Sequence, residues 1–436
     1  RAIEPNPFCR KGENPRSMTL DPVHFDGIAG LADHIDYDAE DEDHRAAAED
    51  VWEHYLDPLR DDDGPLLEPI DGQSRRRVNC EEIALEEPPF PTTHGLDAGT
   101  LNAKPFKNGL VLDVAHAAMS ATPSELDLHD CRTVVKAIHS NDTSRDLGTG
   151  WDEYNDGSRR RIVHTHLPEN QYEEDVVHAL ALYLAESAHA LEHADEVSDF
   201  LLLDGPIYPK GVLRWYYRSS SLTDLFEDSE DVARILDNYV ELVETFVERG
   251  VPLAGFVKNV SAKSVVRTLK RETDFGPVPW AHDAGLFAQI LERRELVDGE
   301  FERRTDDLTL TNWFVSTAGT DDFFNDPDKS HLLDRELDPE QYRVTFCMVY
   351  DPRRDLVFKI EAPYAVTEDE DARERIERQI LQEVALQRGP PRAISKADEL
   401  AAIDRGSIGS LIKSFENSLD TELDENYNAV RWGRDY

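Results

Sequence analysis

The sequence predicts an α/β fold: a mixed sheet flanked by helices, behind an acidic N-terminal extension. Three observations carry that expectation. Phe200-Leu201-Leu202-Leu203 runs straight into Asp204 and is stopped by Gly205-Pro206, the pattern of a strand buried on both faces. Several strand-like segments follow one another between Thr93 and His166 with turns between them, as in an antiparallel meander. Helix and strand patterns then alternate from Tyr172 to Lys258 over short links, which argues for crossovers and parallel pairing.

Composition supports a folded chain. With 436 residues there is enough for one large domain or two ordinary ones. The formal charge is −43, from 47 basic and 90 acidic residues, yet 39% of residues are hydrophobic, too many for a disordered acidic protein. The acidity is spread from end to end. Such a charge is tolerable in molar salt, where the Debye length falls to about 3 Å, so it does not exclude nucleic acid as a partner. Cys9, Cys80, Cys131 and Cys347 show no CxxC spacing, and neither a disulfide framework nor a cysteine zinc site is expected. The sequence opens with no charged-then-apolar leader, and no apolar run is long enough to span a membrane. A cytoplasmic protein with no membrane partner is therefore the expectation. Met18 begins a plausible natural start, and residues 1–17 are set aside.

Taken in order, residues 1–90 read as the extension, partly helical or flexible. Between Leu31 and Asp63 there are 14 acidic residues, usually a solvated face, with a helix over Ala46 to Leu59. The main domain is expected over 91–436, with an insertion around 300–340. A first strand ends near Asp97 and is followed by small residues. Gly109 to Met119 reads as a central strand, Thr133 to His139 as a third and Arg161 to His166 as a fourth. Ser140 to Ser158 is rich in Gly, Asp and Asn, hence an exposed mobile loop.

A helix from Tyr172 to His193 buries Val176, Ala179, Leu180, Tyr183, Ala190 and Leu191 at helical spacing. Glu186 falls on that apolar stripe, where a carboxylate is costly unless paired or metal-bound. It either holds a cation or reaches water or an arginine from the stripe's edge. After Asp204, a helix from Asp228 to Gly250 leads to a buried strand, Pro252 to Lys258. Ser261 is expected to cap the next helix. On it Lys263, Arg267, Lys270 and Arg271 form one basic stripe beginning just after Lys258, either local charge balance or a track for a phosphate backbone. A hairpin of 344–350 and 356–361, a helix from Glu368 to Leu386 and a last amphipathic helix over 393–403, which carries Asp398, complete the chain.

Asp97, Glu186, Asp204 and Asp398 are the candidate site. Carboxylates that converge on one sheet edge cannot all ionise without a cation between them. Hard oxygen ligands select magnesium or manganese, and such ions serve phosphodiester hydrolysis. His164 and His166 would share a strand face, but with no third ligand at a recognisable spacing they are read as polar strand residues. Asp113 would either support the site from the neighbouring strand or face solvent. No Walker loop is present, so ATP hydrolysis is not expected.

Gly-Leu-Asp97-Ala-Gly-Thr, Leu-Leu-Leu-Asp204-Gly-Pro, Gly-Phe-Val-Lys258-Asn-Val-Ser and the late Lys-Ala-Asp398 helix, in this order, resemble the NurA family, nucleases on the RNase H-like plan. The even acidity resembles proteins of salt-loving archaea. The resemblance implies a manganese-dependent (or magnesium-dependent) DNA nuclease that resects 5′ ends in double-strand-break repair. It also implies a homodimer docked on a HerA-type hexameric ATPase. By match, Asp97, Glu186 and Asp204 would hold the metal; Asp398 is expected to join them in catalysis, and the basic stripe puts Lys258, Lys263, Arg267 and Lys270 on the DNA. The chain departs from the family at two places: Asp97-Ala98-Gly99 stands where Asp-Gly-Ser is usual, and Asp398 where a histidine is common. The other readings are a catalytically weak adaptor for a DNA-translocating ATPase and another RNase H-like nuclease.

Overall fold

The computed structural model describes residues 41–62, 64–123, 129–142, 150–153, 158–167, 172–297 and 299–424. Residues 1–17 and most of the expected loop at 140–158 lie outside them. The chain divides into two units, Arg1–Ala46 and Ala47–Tyr436. Of the first, the described part is the opening of helix α1 (Asp41–Tyr55). The structure thus draws its boundary far ahead of residue 90. Residues 59–79 supply three strands to the main sheet, β1 (Leu59–Asp61), β2 (Gly64–Pro69) and β3 (Arg75–Asn79).

The centre of that sheet is built by β4 (Thr93–Thr100), β5 (Lys104–Pro105), β6 (Val111–Thr122), β7 (Thr133–His139), β8 (Trp151–Glu153) and β9 (Arg159–Thr165). After α2 (Glu173–Glu192) come β10 (Phe200–Asp204), α3 (Glu230–Glu248) and β11 (Leu253–Val257). The strands run β11-β10-β4-β6-β7 across the middle. Both β10 neighbours are parallel to it, and β6 is antiparallel to β4 and β7. The expected mixed sheet is therefore present, parallel on the β10 side and antiparallel around β6. The meander expectation fails at its last member, because β9 pairs parallel with β7. Continuous burial of Phe200 to Leu203 follows from β10's central place, with a strand on each edge and helices on both faces.

The region past Lys258 holds α4 (Ser264–Glu272), α5 (Asp283–Leu291) and a separate hairpin of β12 (Arg294–Val297) and β13 (Glu300–Arg303). β14 (Asp307–Thr311) and β15 (Phe314–Ser316) then join β3 and β2 to β16 (Val344–Asp351), which pairs with β17 (Leu356–Pro363). The expected 300–340 insertion is therefore partly woven into the sheet. α4 begins three residues after Ser261, and its N-terminus is served from a distance: the Asp283 carboxylate accepts from Val265 N, Val266 N and Ser264 Oγ at 3.4, 3.0 and 3.3 Å. α6 (Glu370–Gln387) and α7 (Arg392–Ala401) follow as expected, but α7 is not the last helix, since α8 (Arg405–Leu419) succeeds it. No helix among the described residues is long and apolar enough to cross a membrane.

The helices sit on opposite faces of the sheet. Asp113 of β6 is wholly buried and meets His178 of α2 at 2.9 Å. It therefore marks α2's face, and it neither faces solvent nor supports the carboxylates. One residue out of phase, Ser120 Oγ donates to Ala393 O of α7 at 2.6 Å, which marks the other face.

Candidate metal centre

β4 brings Asp97 to the site from mid-strand rather than from the strand end. Its pairing with β10 closes at Leu96 and Leu203, so Asp97 and Asp204 stand side by side where the strands part. Gly95, Asp97 and Gly99 share the face that α7 covers. At both glycines a methyl group would collide with α7 backbone, at Ala393 and at Ala401. Bare glycine surface thus lets α7 lie on the strand, with Ala393, Ala397 and Ala401 buried at four-residue intervals, and carries Asp398 over Asp97.

The turn after Asp204 is equally tight. Gly205 has φ 139°, in the region that favours glycine, and its N–H donates to Phe256 O at 3.1 Å. A side chain at Gly255 would strike the backbone of this turn. β11 therefore runs close beside it and delivers Lys258 one residue past its end. Lys258 Nζ lies 2.6 Å from Asp204 Oδ2 and 3.1 Å from Asp398 Oδ2.

Asp97, Asp204 and Asp398 each offer an oxygen, and these oxygens lie within 4.8 Å of one another. Asp97 and Asp204 are half-buried and Asp398 is exposed. Burial, reinforced by Asp204 and Asp398, pushes Asp97 up to about 7 despite an N–H bond from Ala98. Burial also raises Asp204, against its bond to Lys258. Partial burial pulls the Lys258 ammonium down, but Asp204 and Asp398 outweigh it and raise it. Three acids held this close favour a cation, and an all-carboxylate set suits a hard divalent ion.

Of the four predicted carboxylates, these three form one group. Glu186 belongs to α2, on the opposite face. It is buried, accepts from Tyr239 Oη at 2.9 Å, and is driven up to about 8 by burial, with Asp97 and Asp204 adding to the rise. It stands behind the group, within electrostatic reach of it.

The four predicted DNA contacts divide in the same way. Lys258 is tied into the acids, whereas Lys263, Arg267 and Lys270 are exposed on and just before α4, whose Val265, Val266 and Leu269 are buried. The Lys258 ion pairs were not legible, since nothing local links residue 258 to 204 or 398. The local signal for the α7 seat is Gly95-x-Asp97-x-Gly99, a period-two glycine face.

Residues 91–403 match the NurA domain family. The chain belongs to the NurA family. No curated protein matches it. Among solved structures, the NurA nuclease from Sulfolobus solfataricus is 12% identical, covering 92% of this chain and 98% of that one at a TM-score of 0.47. A NurA bound to dAMP and manganese is 11% identical, with 94% and 99% covered and a TM-score of 0.40. A NurA with manganese is 12% identical, with 78% and 95% covered and a TM-score of 0.38. Membership of NurA, a nuclease family, agrees with an acidic centre at the sheet edge.

Proposed function

We propose that this NurA chain is a manganese-dependent DNA nuclease, and the observation that carries the reading is the convergence of Asp97, Asp204 and Asp398. A divalent ion bound there would supply Lewis-acid activation of water and stabilise the leaving oxygen. Asp97 and Asp204 would hold it from the rigid strands, and Asp398 would close the set from α7. Lys258 neutralises the acids and can place a phosphate oxygen beside them. The exposed Lys263, Arg267 and Lys270 would carry the strand away along α4. Glu186, protonated in its buried setting, would hold its place through Tyr239 behind the centre.

The finer reading is that the enzyme resects 5′ ends in double-strand-break repair as a homodimer docked on a HerA-type hexameric ATPase, with manganese as its metal. Family membership is what supports it. The test is cleavage of end-labelled DNA in multimolar potassium chloride with manganese, comparing the wild type with Asp97→Asn and Asp204→Asn. The reading expects cleavage by the wild type and background from both variants; cleavage that survives both substitutions overturns it. Co-elution with a HerA-type ATPase, and loss of 5′ label before 3′ label, test the partner and the polarity.

A further inference from the structure

Lys258 lies between the carboxylates and a cleft. Besides bonding Asp204 and Asp398, it lines a cleft of about 570 Å³ that runs past Asn259 and α5 to the start of β17. The walls are apolar, formed by Val260, Val357, Trp280 and the small α5 residues Ala284 and Ala288. Gly285 keeps the space open. A methyl there would only touch Trp280 Cδ1, at 3.4 Å, but a longer side chain would fill the cleft.

Trp280 is 7% exposed, and its indole N–H has no acceptor among the described residues. The rim is polar. Asn259 is exposed, and His282 is held through Nδ1 by Ser261 O at 3.3 Å. The carboxylate that lines the cleft, Asp355, is already engaged by Arg303 at 3.1 Å and Tyr350 at 2.9 Å. It therefore offers little opposition to an anionic strand.

We propose that this cleft receives a nucleobase of the strand whose phosphate lies at the carboxylates. The proposal rests on the nuclease reading above. The volume suits a small organic ligand, and apolar walls with a few polar groups are what such ligands select. A flat base can bury its faces against Val260, Val357 and the α5 wall, with the exposed edge of Trp280 as the floor, a sequence-tolerant apolar contact. The Asn259 amide, donor and acceptor at once, can meet a base edge. Lys258, shared by both sites, places phosphate and base as neighbours, as they are within one nucleotide. A base reaches such a cleft only when it is unpaired, so the site favours single strands or frayed ends.

The probe is 1,N6-ethenoadenosine 5′-monophosphate, followed by its fluorescence with the full chain in EDTA and multimolar potassium chloride. Gly285→Leu and Ala288→Phe block the cleft from successive turns of α5, and thermal melting checks that each folds. Binding by the wild type that weakens about tenfold or more in the blocked variants supports the cleft. No binding, or equal binding in wild type and both variants, overturns it. A second arm follows cleavage in manganese of an oligonucleotide carrying one abasic residue, moved step by step along the strand. One sensitive position in the wild type that vanishes in Gly285→Leu supports the proposal, and a flat profile overturns it. If the nucleotide binds as expected but nothing is cleaved, the nuclease reading fails and the base site stands. If DNA is cleaved without cleft-dependent binding, the base site fails alone.

Discussion

Lys258 and Asp204 form an ion pair at 2.6 Å within the carboxylate group. The ammonium, also 3.1 Å from Asp398, supplies the local positive charge that the three acids need in the metal-free protein. Lys258→Met removes that charge and leaves the acids to repel one another. Metal-free stability should fall by ~1–2 kcal/mol, and added manganese should raise the melting temperature more than in the wild type. Thermal unfolding in EDTA and in manganese, at one potassium chloride concentration, measures both.

Metal affinity should rise with pH. Asp97 is pushed up to about 7 and Glu186 to about 8, whereas in the unfolded chain carboxyls titrate near ~4. The folded state therefore binds more protons between these values. The stability these groups contribute is full below about pH 4 and is lost as pH rises through 7 to 8. Melting in EDTA should accordingly fall from pH 6 to pH 8, with a shallower slope in Asp97→Asn. A cation competes with the protons, so manganese should bind more tightly at pH 8 than at pH 6 and flatten the loss.

The glycine face of β4 sets where Asp398 lies. Gly99→Ala forces a methyl into the Ala401 carbonyl, and α7 must shift. A cost of about 1–3 kcal/mol is expected, together with weaker manganese binding. Gly276→Ala, with nothing within 4 Å of the added carbon, should stay within about 0.5 kcal/mol of wild type. Chemical denaturation of the two variants gives the comparison.

Behind the Asp204 turn lies a buried ionic knot. Glu361, 1% exposed, meets Lys210 and Lys359 at 2.6 Å each, and Lys210 also meets Asp321 at 2.8 Å. Burial pushes Glu361 up, yet the two lysines carry it down to about 2. Its stabilisation is present above the ordinary carboxylate range and is lost as pH falls toward 2. Glu361→Gln leaves two largely buried ammonium groups without their shared partner and should cost about 3–5 kcal/mol. Ile207 N also donates to Glu361, at 3.3 Å, so the turn after Asp204 should loosen. Denaturant midpoints at neutral pH measure the cost.

What the sequence made legible was whatever a local pattern encodes. The apolar run before Asp204 became β10, and helical spacing located α2, α3, α6 and the α7 helix that carries Asp398. Patterns written across the fold were not legible. Arg75-Arg76-Arg77-Val78-Asn79 has no strand alternation, yet it pairs with β14 residue by residue. The side of the sheet from which Glu186 comes depends on the packing of α2, and spacing alone places it no better than beside Asp97. Lys258 reads as one cation among several, because its partners lie 54 and 140 residues away in sequence. α8 carries little local helix signal, because Gly406, Ser407, Gly409 and Ser410 are poor helix formers.

Asp97, Asp204 and Asp398 together should hold a divalent cation. Titration of manganese into the protein at pH 8 in molar potassium chloride, with free ion followed by electron paramagnetic resonance, tests it most directly. Saturable binding of at least one ion per chain is expected, lost in Asp97→Asn and Asp204→Asn and weakened in Asp398→Asn. Equal binding by the wild type and an Asp97→Asn/Asp204→Asn double variant would contradict it.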